Sequence, residues 1–320
     1  MRRRSLLVAP VLAGLAACAE DEDPEPPRRY HDGRLYIGTS ITTGVYYLLG
    51  GALADLVTRN VAGFEARAEP TNASVDNIRR IGADDMQMGF TLADAAADAI
   101  AGRAAFQGKA QPVTALARLY PNTMQVVVRV DQTITTVADL RGKRVSTGAP
   151  GAGTEAFALR ILAAAGLDPD NDVSRRALTI GQTTAGMTDG SLDAFFFAGG
   201  LPAPDIAQLL SSAPGRFALL PLDRLEAPLN LTYARSYTRV SMPKAAYGTE
   251  TDIGTLAVAN LLLVAPDTPV DLAFQLTGLL FTHQDELVAA HPEGRNIKRE
   301  TAWDTGSVPL HPGARKYYAS

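Results

Sequence analysis

The segment Leu35–Tyr47, LYIGTSITTGVYY, most constrains how this chain can fold. A short apolar run ends in a turn of glycine, serine and threonine, and a helix is predicted to begin directly after it. Such a helix start presents unpaired backbone N–H groups and the positive end of the helix dipole, which together favour a bound anion. The alternative interpretation is an ordinary capped helix start that binds nothing.

Two further segments have a similar character. Thr147–Thr154, TGAPGAGT, precedes a second predicted helix, so we expect two half-sites that face one small acidic ligand. In TNASVDNI, which begins at Thr71, the side chains of Ser74 and Asn77 lie three residues apart on one helical face. A hydroxyl and an amide placed there suit a carboxylate or amide ligand, although helix capping with solvent exposure explains this segment equally well.

Short strand-like runs alternate with helical ones along the body of the chain. We predict strands at 35–38, 64–68, 86–90, 113–119, 123–130, 144–146, 177–180, 193–197 and 256–264. We predict helices at 45–58, 73–81, 94–101, 136–140, 155–165, 184–189, 205–211 and 269–290. This alternation predicts an α/β fold with a parallel sheet and helices on its faces.

Two of these strands, Gln125–Arg129 and Leu256–Val264, each link one set of alternating elements to another. We interpret them as crossover strands between two lobes. One lobe is then formed by residues 35–122 and 267–320, and the other by residues 123–266. A cleft between two lobes is a usual place for a small-molecule site.

The N-terminus is typical of an export signal. Three arginines precede a short apolar run that ends in Leu15–Cys18, a sequence that resembles a bacterial lipobox. We predict that residues 1–17 are a signal peptide, that Cys18 is lipidated, and that the acidic, proline-rich residues 18–34 form a tether. The alternative is an ordinary secretory signal with an incidental cysteine.

The composition of the 320 residues excludes several classes of protein. Hydrophobic residues make up 46% and charged residues 20%, as expected for a globular chain. Loss of the three signal-peptide arginines from 30 basic residues leaves 27 against 34 acidic ones, a formal net charge of −7. With no basic patch, nucleic acid is not an expected partner. The single cysteine excludes an internal disulfide, and no later apolar run is long enough to span a bilayer.

Six segments occur in the order typical of the TAXI solute-binding proteins of TRAP-type, ion-driven transporters, and the chain resembles that family from about Leu35 to Tyr318. These segments are LYIGTSITTGVYY, TNASVDNI, GADDMQMGFTLAD, DLRGKRVSTGAPGAGTE, SLDAFFFAGGLPAPDIAQL and VPLHPGARKYY. The resemblance implies a two-lobe periplasmic-binding-protein fold of the type II kind, with a ligand closed between the lobes. It also implies a periplasmic, membrane-anchored protein without enzymatic activity or cofactor that delivers its ligand to a TRAP-type membrane permease.

The resemblance further implies a ligand site for small carboxylates such as glutamate, glutamine and 2-oxoglutarate-like acids. In the first lobe the corresponding residues are Thr39, Ser40, Thr43, Gly44, Thr71, Ser74, Asn77, Thr91 and Asp94. In the second lobe they are Gly151, Gly153, Thr154, Gln182, Phe197, Ala198 and Gly199. Hydroxyl and backbone N–H groups of this set can hold a carboxylate, and Phe197 can line an aliphatic chain.

The sequence departs from the family pattern at three positions, where Ile41, Leu92 and Ala152 replace polar residues. Each hydrogen bond lost in a closed site costs about 0.5–1.5 kcal/mol, and more where a charged ligand group is left unpaired. We therefore hypothesise a ligand with fewer polar groups or a more apolar body than glutamate. The alternative is that these three positions only line the rim of the pocket.

Other functions receive little support from the sequence. The four histidines lack metal-ligand spacing with cysteine, aspartate or glutamate, and no G-x-S-x-G nucleophile motif occurs. An enzyme on the same scaffold would need a catalytic group in the cleft, where Asp94 is the only predicted acid. A sensory lipoprotein that reports ligand binding to a membrane signalling partner fits the sequence as well as a transport protein does.

Overall fold

The structure of this chain is a computed structural model that describes residues 30, 32–233 and 236–320. The predictions of a signal peptide, of lipidation at Cys18 and of most of the tether therefore lie outside the described residues. Within those described ranges, none of the helices combines the length and the apolar character that crossing a bilayer requires.

The described residues contain ten strands: β1 Arg34–Gly38, β2 Glu65–Glu69, β3 Met88–Leu92, β4 Thr114–Arg129, β5 Arg144–Ser146, β6 Ser174–Arg176, β7 Ala194–Gly199, β8 Phe217–Leu219, β9 Tyr237–Met242 and β10 Ile253–Val264. They form one sheet in the order β2-β1-β3-β10-β4-β7-β5-β6, with β8 paired to β4 and β9 paired to β10.

The helices in the described part of the chain are α1 Val45–Asn60, α2 Ser74–Gly82, α3 Ala93–Ala101, α4 Gly153–Ala164, α5 Ile180–Asp189, α6 Pro204–Ser212, α7 Glu226–Thr232, α8 Lys244–Tyr247, α9 Val270–Thr282, α10 Gln284–Ala290, α11 Arg299–Ala302 and α12 Pro312–Tyr318. Short 3-10 helices lie at Ala104–Phe106, Val130–Gln132, Val137–Leu140, Asp223–Leu225 and Pro292–Asn296.

The sheet is mixed, so the prediction of a parallel sheet is only partly right. Strands β1, β2 and β3 pair in parallel; together with α2 and α3 they form the first group, also called the β1–β3 group. Strands β5, β6 and β7 pair in parallel; together with α4 they form the second group, also called the β5–β7 group. The two long strands between these groups, β4 and β10, run antiparallel to each other and to their other neighbours β3 and β7. The proposed lobe boundaries therefore fall within or next to the two central strands, and they stay a prediction.

Strand β4 corrects a second prediction, because the separate strands expected at 113–119 and 123–130 are one strand of 16 residues. Pro121 lies in its middle, opposite Ala259 of β10, and the register between the two strands shifts directly after Ala259. A proline cannot donate a ladder hydrogen bond, so it is tolerated in a central strand where the pairing is already irregular.

Two other element predictions are wrong. The helix expected at 269–290 is interrupted at His283, whose backbone φ of −126° lies outside the helical range. The strand expected at 177–180 is absent, because Thr179 and Gln182 form a reciprocal capping box that begins α5 at Ile180. Strand β6 ends directly before the range 177–180, and β8, β9, α7, α8, α11 and α12 were not predicted.

Buried apolar residues form one cluster on one face of the sheet and two clusters on the other. Along β4, Val126 and Val128 belong to the first cluster, whereas Val127 belongs to another. Along β10, Leu261 belongs to the first cluster and Leu262 to a third. Because successive side chains of a strand point to opposite faces, the second and third clusters share the face opposite the first.

The first cluster, called the shared core, contains residues of both parallel groups: Val75, Ala95 and Ala96 of α2 and α3, and Phe157 and Ile161 of α4. On the other face, the α1 core packs α1 and α9 against the β1–β3 group. The α6 core packs α6 against the β5–β7 group. The two parallel groups are therefore joined by a continuous apolar core on one face and have separate cores on the other.

Candidate functional site

The predicted anion-binding turn, residues 40–44, connects β1 to α1. Gly44 is the N-cap of α1, no side chain caps this helix start, and its first turn contains no acidic residue. A Cβ atom at Gly44 would lie 2.4 Å from Oγ of Ser40 and 3.1 Å from the carbonyl oxygen of Ile41, so the turn is tightly packed there. Thr43 is exposed and Ser40 is half-buried. The backbone N–H groups at the start of this 16-residue helix are thus free of side-chain caps, as an anion site requires.

The second predicted turn, before α4, differs because it already holds a carboxylate. Oε2 of Glu155 accepts a hydrogen bond of 2.8 Å from the backbone N–H of Gly151, and Oε1 pairs with Arg175 at 3.0 Å. An acidic side chain in the first turn of a helix interacts with the same dipole that a bound anion would use. Equivalent anion-binding roles for the two turns, as predicted from their sequences, are therefore not supported by the local geometry.

The residues predicted around α2 lie together but bond mainly to the protein itself. Nδ2 of Asn77 donates to the carbonyl oxygens of Thr39 and Phe90, at 2.9 and 2.8 Å. Oγ1 of Thr71 lies 2.7 Å from Oδ1 of Asn77 and 3.0 Å from the Thr39 carbonyl oxygen. Oγ of Ser74 accepts from the Leu92 N–H at 3.1 Å. These side chains hold the carboxyl ends of β1 and β3 together, so they support the backbone of the predicted site rather than offer free groups to a ligand.

Thr39 and Thr91 are also buried and bonded within the first group. Oγ1 of Thr39 donates to the carbonyl oxygen of Glu69 at 2.6 Å. Oγ1 of Thr91 donates to the carbonyl oxygen of Leu92 at 3.2 Å. Both threonine side chains satisfy backbone acceptors at strand ends, which is a common use of a buried hydroxyl group.

Asp94 lies in a buried ion cluster. Its carboxylate is fully buried, pairs with the guanidinium of Arg160 and accepts a 2.6 Å hydrogen bond from the hydroxyl of Tyr237. Arg160 also pairs with Asp98, one turn further along α3. Burial opposes the charge on Arg160, yet Asp94, Tyr237 and Asp98 together raise its pKa well above the ordinary value. Asp94 thus connects α3 to α4.

The remaining predicted residues of the second group occupy different positions. Gly153 touches the first group directly, because a Cβ atom there would lie 2.6 Å from Cδ1 of Leu92 and 2.8 Å from Oγ of Ser74. Oγ1 of Thr154 accepts from the N–H of Ala198 at 3.2 Å. Phe197, Ala198 and Gly199, at the end of β7, are half-buried. Gln182 is exposed and belongs to the capping box of α5.

Two buried amides that the sequence reasoning missed lie on the central strands, where the two groups meet. Asn260 of β10 accepts from the hydroxyl of Tyr46 and donates to the Tyr120 carbonyl oxygen at 2.8 Å. Gln125 of β4 accepts from the hydroxyl of Tyr247 and donates to the Gly200 carbonyl oxygen at 3.4 Å. Gln125 and Asn260 are named the amide floor. Each was a lone polar residue in an apolar strand run, which is the sequence signal that could have identified it.

Tyr46 and Tyr247, which donate hydrogen bonds to the amide floor, stay protonated. Burial raises the pKa of Tyr46 well above its ordinary value and that of Tyr247 to about 12. At neutral pH both hydroxyls therefore remain hydrogen-bond donors to the floor amides. Tyr46 lies in the first turn of α1, so it joins the amide floor to the uncapped helix start.

Two more residues near the junction were missed. Thr147, at the end of β5, is fully buried, and its Oγ1 has no hydrogen-bond partner among the described residues. Glu293, from the C-terminal segment, lies across from Gly200 of the second group, since its Oε1 is 3.0 Å from where a Gly200 Cβ would be. A buried hydroxyl without a partner is costly, so Thr147 is a candidate ligand contact.

Comparison with known proteins identifies the family of this chain. Residues 37–319 match the model of the NMT1-like family. The chain belongs to the NMT1-like family. Among solved structures it is similar to a Xanthomonas citri protein bound to chloride, with a TM-score of 0.54 and 12% identity over 90% of this chain and 95% of the other.

Two other similar structures agree. The binding-protein component of a Pseudomonas aeruginosa ABC phosphonate transporter has a TM-score of 0.53 and 11% identity, over 83% of this chain and 80% of the other. A Bordetella bronchiseptica protein has a TM-score of 0.51 and 18% identity, over 90% and 89% of the two chains.

These matches confirm the predicted α/β periplasmic-binding-protein fold. This NMT1-like chain therefore has the fold of these solved structures, and its role as a non-enzymatic solute-binding protein stays a prediction. The narrower resemblance to TAXI proteins of TRAP-type transporters stays a prediction, as does the assignment of individual ligand-binding residues.

Proposed function

We propose that this NMT1-like protein is an extracytoplasmic lipoprotein that captures a small organic acid and delivers it to a TRAP-type permease. The observation that carries the proposal is the start of α1. It has no side-chain cap and no acidic residue in its first turn, and Tyr46 in that turn bonds to the amide floor between the two groups. An uncapped helix start beside neutral hydrogen-bonding groups suits an anion with a polar body.

We propose that the ligand carboxylate binds at the first turn, through Ser40, Thr43 and the N–H groups that follow Gly44. The second group contributes neutral contacts from Thr154, Phe197, Ala198 and Gly199. The other predicted residues are proposed to position this site: Thr39, Thr71, Ser74, Asn77, Thr91, Asp94, Gly151, Gly153 and Gln182. Residues 35–122 with 267–320, and residues 123–266, are proposed as the two lobes that close around the ligand.

The three departures from the family pattern favour a ligand with an apolar body. The side chain of Ile41 is 57% exposed beside the proposed carboxylate contacts. Exposure of a large apolar side chain to water is unfavourable. Leu92 is buried against Gly153, and Ala152 is half-buried. An apolar part of the ligand that covers Ile41 would remove that side chain from water, which a glutamate-like ligand does less well.

Titration calorimetry with a panel of acids tests this proposal. The panel contains glutamate, 2-oxoglutarate, a short-chain fatty acid and benzoate. We expect the apolar acids to bind more tightly than glutamate or 2-oxoglutarate. Tight binding of glutamate or 2-oxoglutarate with no binding of the apolar acids would refute the apolar-body hypothesis, and binding of none would count against the carboxylate site.

Substitution of Thr43 tests where the carboxylate binds. Thr43→Val removes one hydroxyl group from the proposed contact, and hydrogen bonds to charged groups are worth about 1.5–3 kcal/mol, so the affinity should fall about tenfold or more. The matched control is Thr188→Val on the exposed face of α5, where the hydroxyl bonds only to the carbonyl oxygen of Thr184. Equal affinities of the two variants would place the anion elsewhere.

A further inference from the structure

The cluster around Arg160 joins the two parallel groups on the face of the shared core. Arg160 is on α4, which follows β5, whereas its partners Asp94 and Asp98 are on α3, which follows β3. The three side chains are only 6%, 0% and 2% exposed. The contact between α3 and α4 is therefore held by a buried pair of ionic contacts as well as by apolar packing.

Aromatic residues hold the guanidinium of Arg160 in place. Its Nη1 donates to the hydroxyl of Tyr237 at 3.0 Å, and its Cζ lies 4.7 Å from the ring centroid of Tyr233. The ring of Tyr237 is stacked on Phe157 of α4, with centroids 4.7 Å apart. A planar guanidinium held by two carboxylates, a hydroxyl and a ring face has little freedom to move. Such a site suits arginine better than lysine, because only arginine has a planar group with several donors.

The carboxylates have few other cations. Asp98 also pairs with Arg103 at 3.2 Å, but the side chain of Arg103 is 54% exposed. Among the residues that the structure describes, Asp94 forms an ion pair with Arg160 alone. Two carboxylates one helical turn apart repel each other when both are charged and buried. Without Arg160 the two carboxylates would be buried with too little positive charge beside them, which opposes close packing of α4 on α3.

The neighbouring packing is incomplete. A cavity of about 230 Å³ lies beside the cluster, between α4 and the 3-10 helix Ala104–Phe106, and Arg160, Asp98 and Leu159 are among its lining residues. Part of the seam between α3 and α4 is thus open space. The ionic contacts at Arg160 therefore lie at the edge of this open space.

We propose that Arg160 is a positioning residue that keeps the seam between α3 and α4 shut, so that the two groups open only on the opposite face. That opposite face carries the separate α1 and α6 cores and the exposed turn before α1. A shut seam also keeps Gly153 seated against Ser74, next to the proposed ligand contacts. The inference deepens the proposed function, but the test below uses no ligand and is independent of it.

Pulsed dipolar spectroscopy of doubly spin-labelled protein tests the proposal. The labels are placed in a Cys18→Ser chain, which removes the only natural cysteine. One pair, Asp55→Cys and Gln208→Cys, spans the opening face, and the other, Lys109→Cys and Ala163→Cys, spans the seam; all four positions are exposed. In the ligand-free protein we expect a broad distance distribution for the first pair and a narrow one for the second.

Arg160→Gln should widen the seam distribution to at least the width of the opening-face distribution. Arg141→Gln, which removes an ion pair between Arg141 and Asp172 on the surface, is the control. It should change neither the seam distribution nor the opening-face distribution. A role in stability alone would lower the melting temperature of Arg160→Gln and leave the seam distribution narrow, which would overturn the proposal. An equally broad seam distribution in the unsubstituted chain would also overturn it.

If Arg160→Gln does not fold, Tyr237→Phe provides the same test. It keeps the stacked ring and removes the hydroxyl that bonds to Arg160 and Asp94. Partial widening of the seam distribution is expected, and an unchanged distribution would contradict the proposal.

Discussion

At the scale of single residues, hydrogen bonding within the protein decides which polar side chains of the proposed site are free to bind a ligand. Asn77 was predicted to contact the ligand, yet both protons of its amide go to carbonyl oxygens of Thr39 and Phe90. Those acceptors are brought to Asn77 by strand pairing, which residue spacing does not reveal. For the same reason Gln125 and Asn260, which lie on the two central strands of the sheet, were missed.

His311 illustrates a residue whose burial has a measurable consequence. Its side chain is fully buried, and its Nδ1 accepts a 3.1 Å hydrogen bond from the N–H of Gly313 at the start of α12. Burial lowers the pKa of His311, and also that of His291, below the ordinary value near 6.5. The unfolded chain therefore binds protons more readily than the folded protein as the pH falls below about 6.5.

The free energy of unfolding should consequently be steady above about pH 6.5 and fall as the pH drops below it. His311→Asn keeps an acceptor for the helix start and removes the titrating group, so the fall between pH 7 and 5.5 should become shallower by up to about 1.4 kcal/mol per pH unit. Urea unfolding at several pH values measures this. An identical pH dependence in both proteins would show that His311 is protonated equally in the folded and unfolded states.

At the scale of elements, the sequence predicted well those helices and strands whose signals are local. The run before Gly38 and the periodic apolar positions after Gly44 gave β1 and α1 with nearly the observed bounds. The errors arose where distant parts of the chain decide. Separate strands were predicted at 113–119 and 123–130, yet pairing with β10 carries β4 through Pro121 between them. The apolar stripe after Pro269 continues past His283, although the helix itself is interrupted there.

The start of α4 allows a test of how closely α4 must approach the end of β3. A Cβ atom at Gly153 would lie 2.6 Å from Cδ1 of Leu92 on the neighbouring group, so Gly153→Ala should push α4 away from α2. Overpacking of this kind costs about 1–3 kcal/mol of the free energy of unfolding. Affinity for the ligand should fall as well, since the closed arrangement is disfavoured.

Gly181→Ala is the matched control for Gly153→Ala. Gly181 also lies in the first turn of a helix, α5, and nothing would lie within 4 Å of a Cβ atom there. Alanine favours helix over glycine, so this variant should be as stable as the unsubstituted protein or up to about 1 kcal/mol more stable. Chemical denaturation of the two variants gives the comparison. If both were equally stable, the contact between Gly153 and Leu92 would not be tight.

At the scale of the whole molecule, the alternation of strands and helices and the two central strands led to the correct fold class. The way in which the two groups are joined did not follow from the sequence. Arg160 is one of two charged residues in an alanine-rich helix, and its partners Asp94 and Asp98 are more than sixty positions earlier in the chain. Only the fold shows that one face carries a continuous core and an ion cluster, while the other has two separate cores.

The proposed tether belongs to the same scale, because it determines where the binding protein works. Cys18 follows Leu15-Ala16-Ala17 and is the only cysteine in the chain. One acyl chain gives only weak membrane binding, so stable anchoring needs more than one chain on the processed cysteine. In cells, Cys18→Ser should move the protein from the membrane fraction to the soluble fraction, with the affinity for its ligand unchanged. Ala19→Ser, next to it, is the control and should stay with the membrane. Retention of both variants in the membrane fraction would show that another part of the protein holds it there.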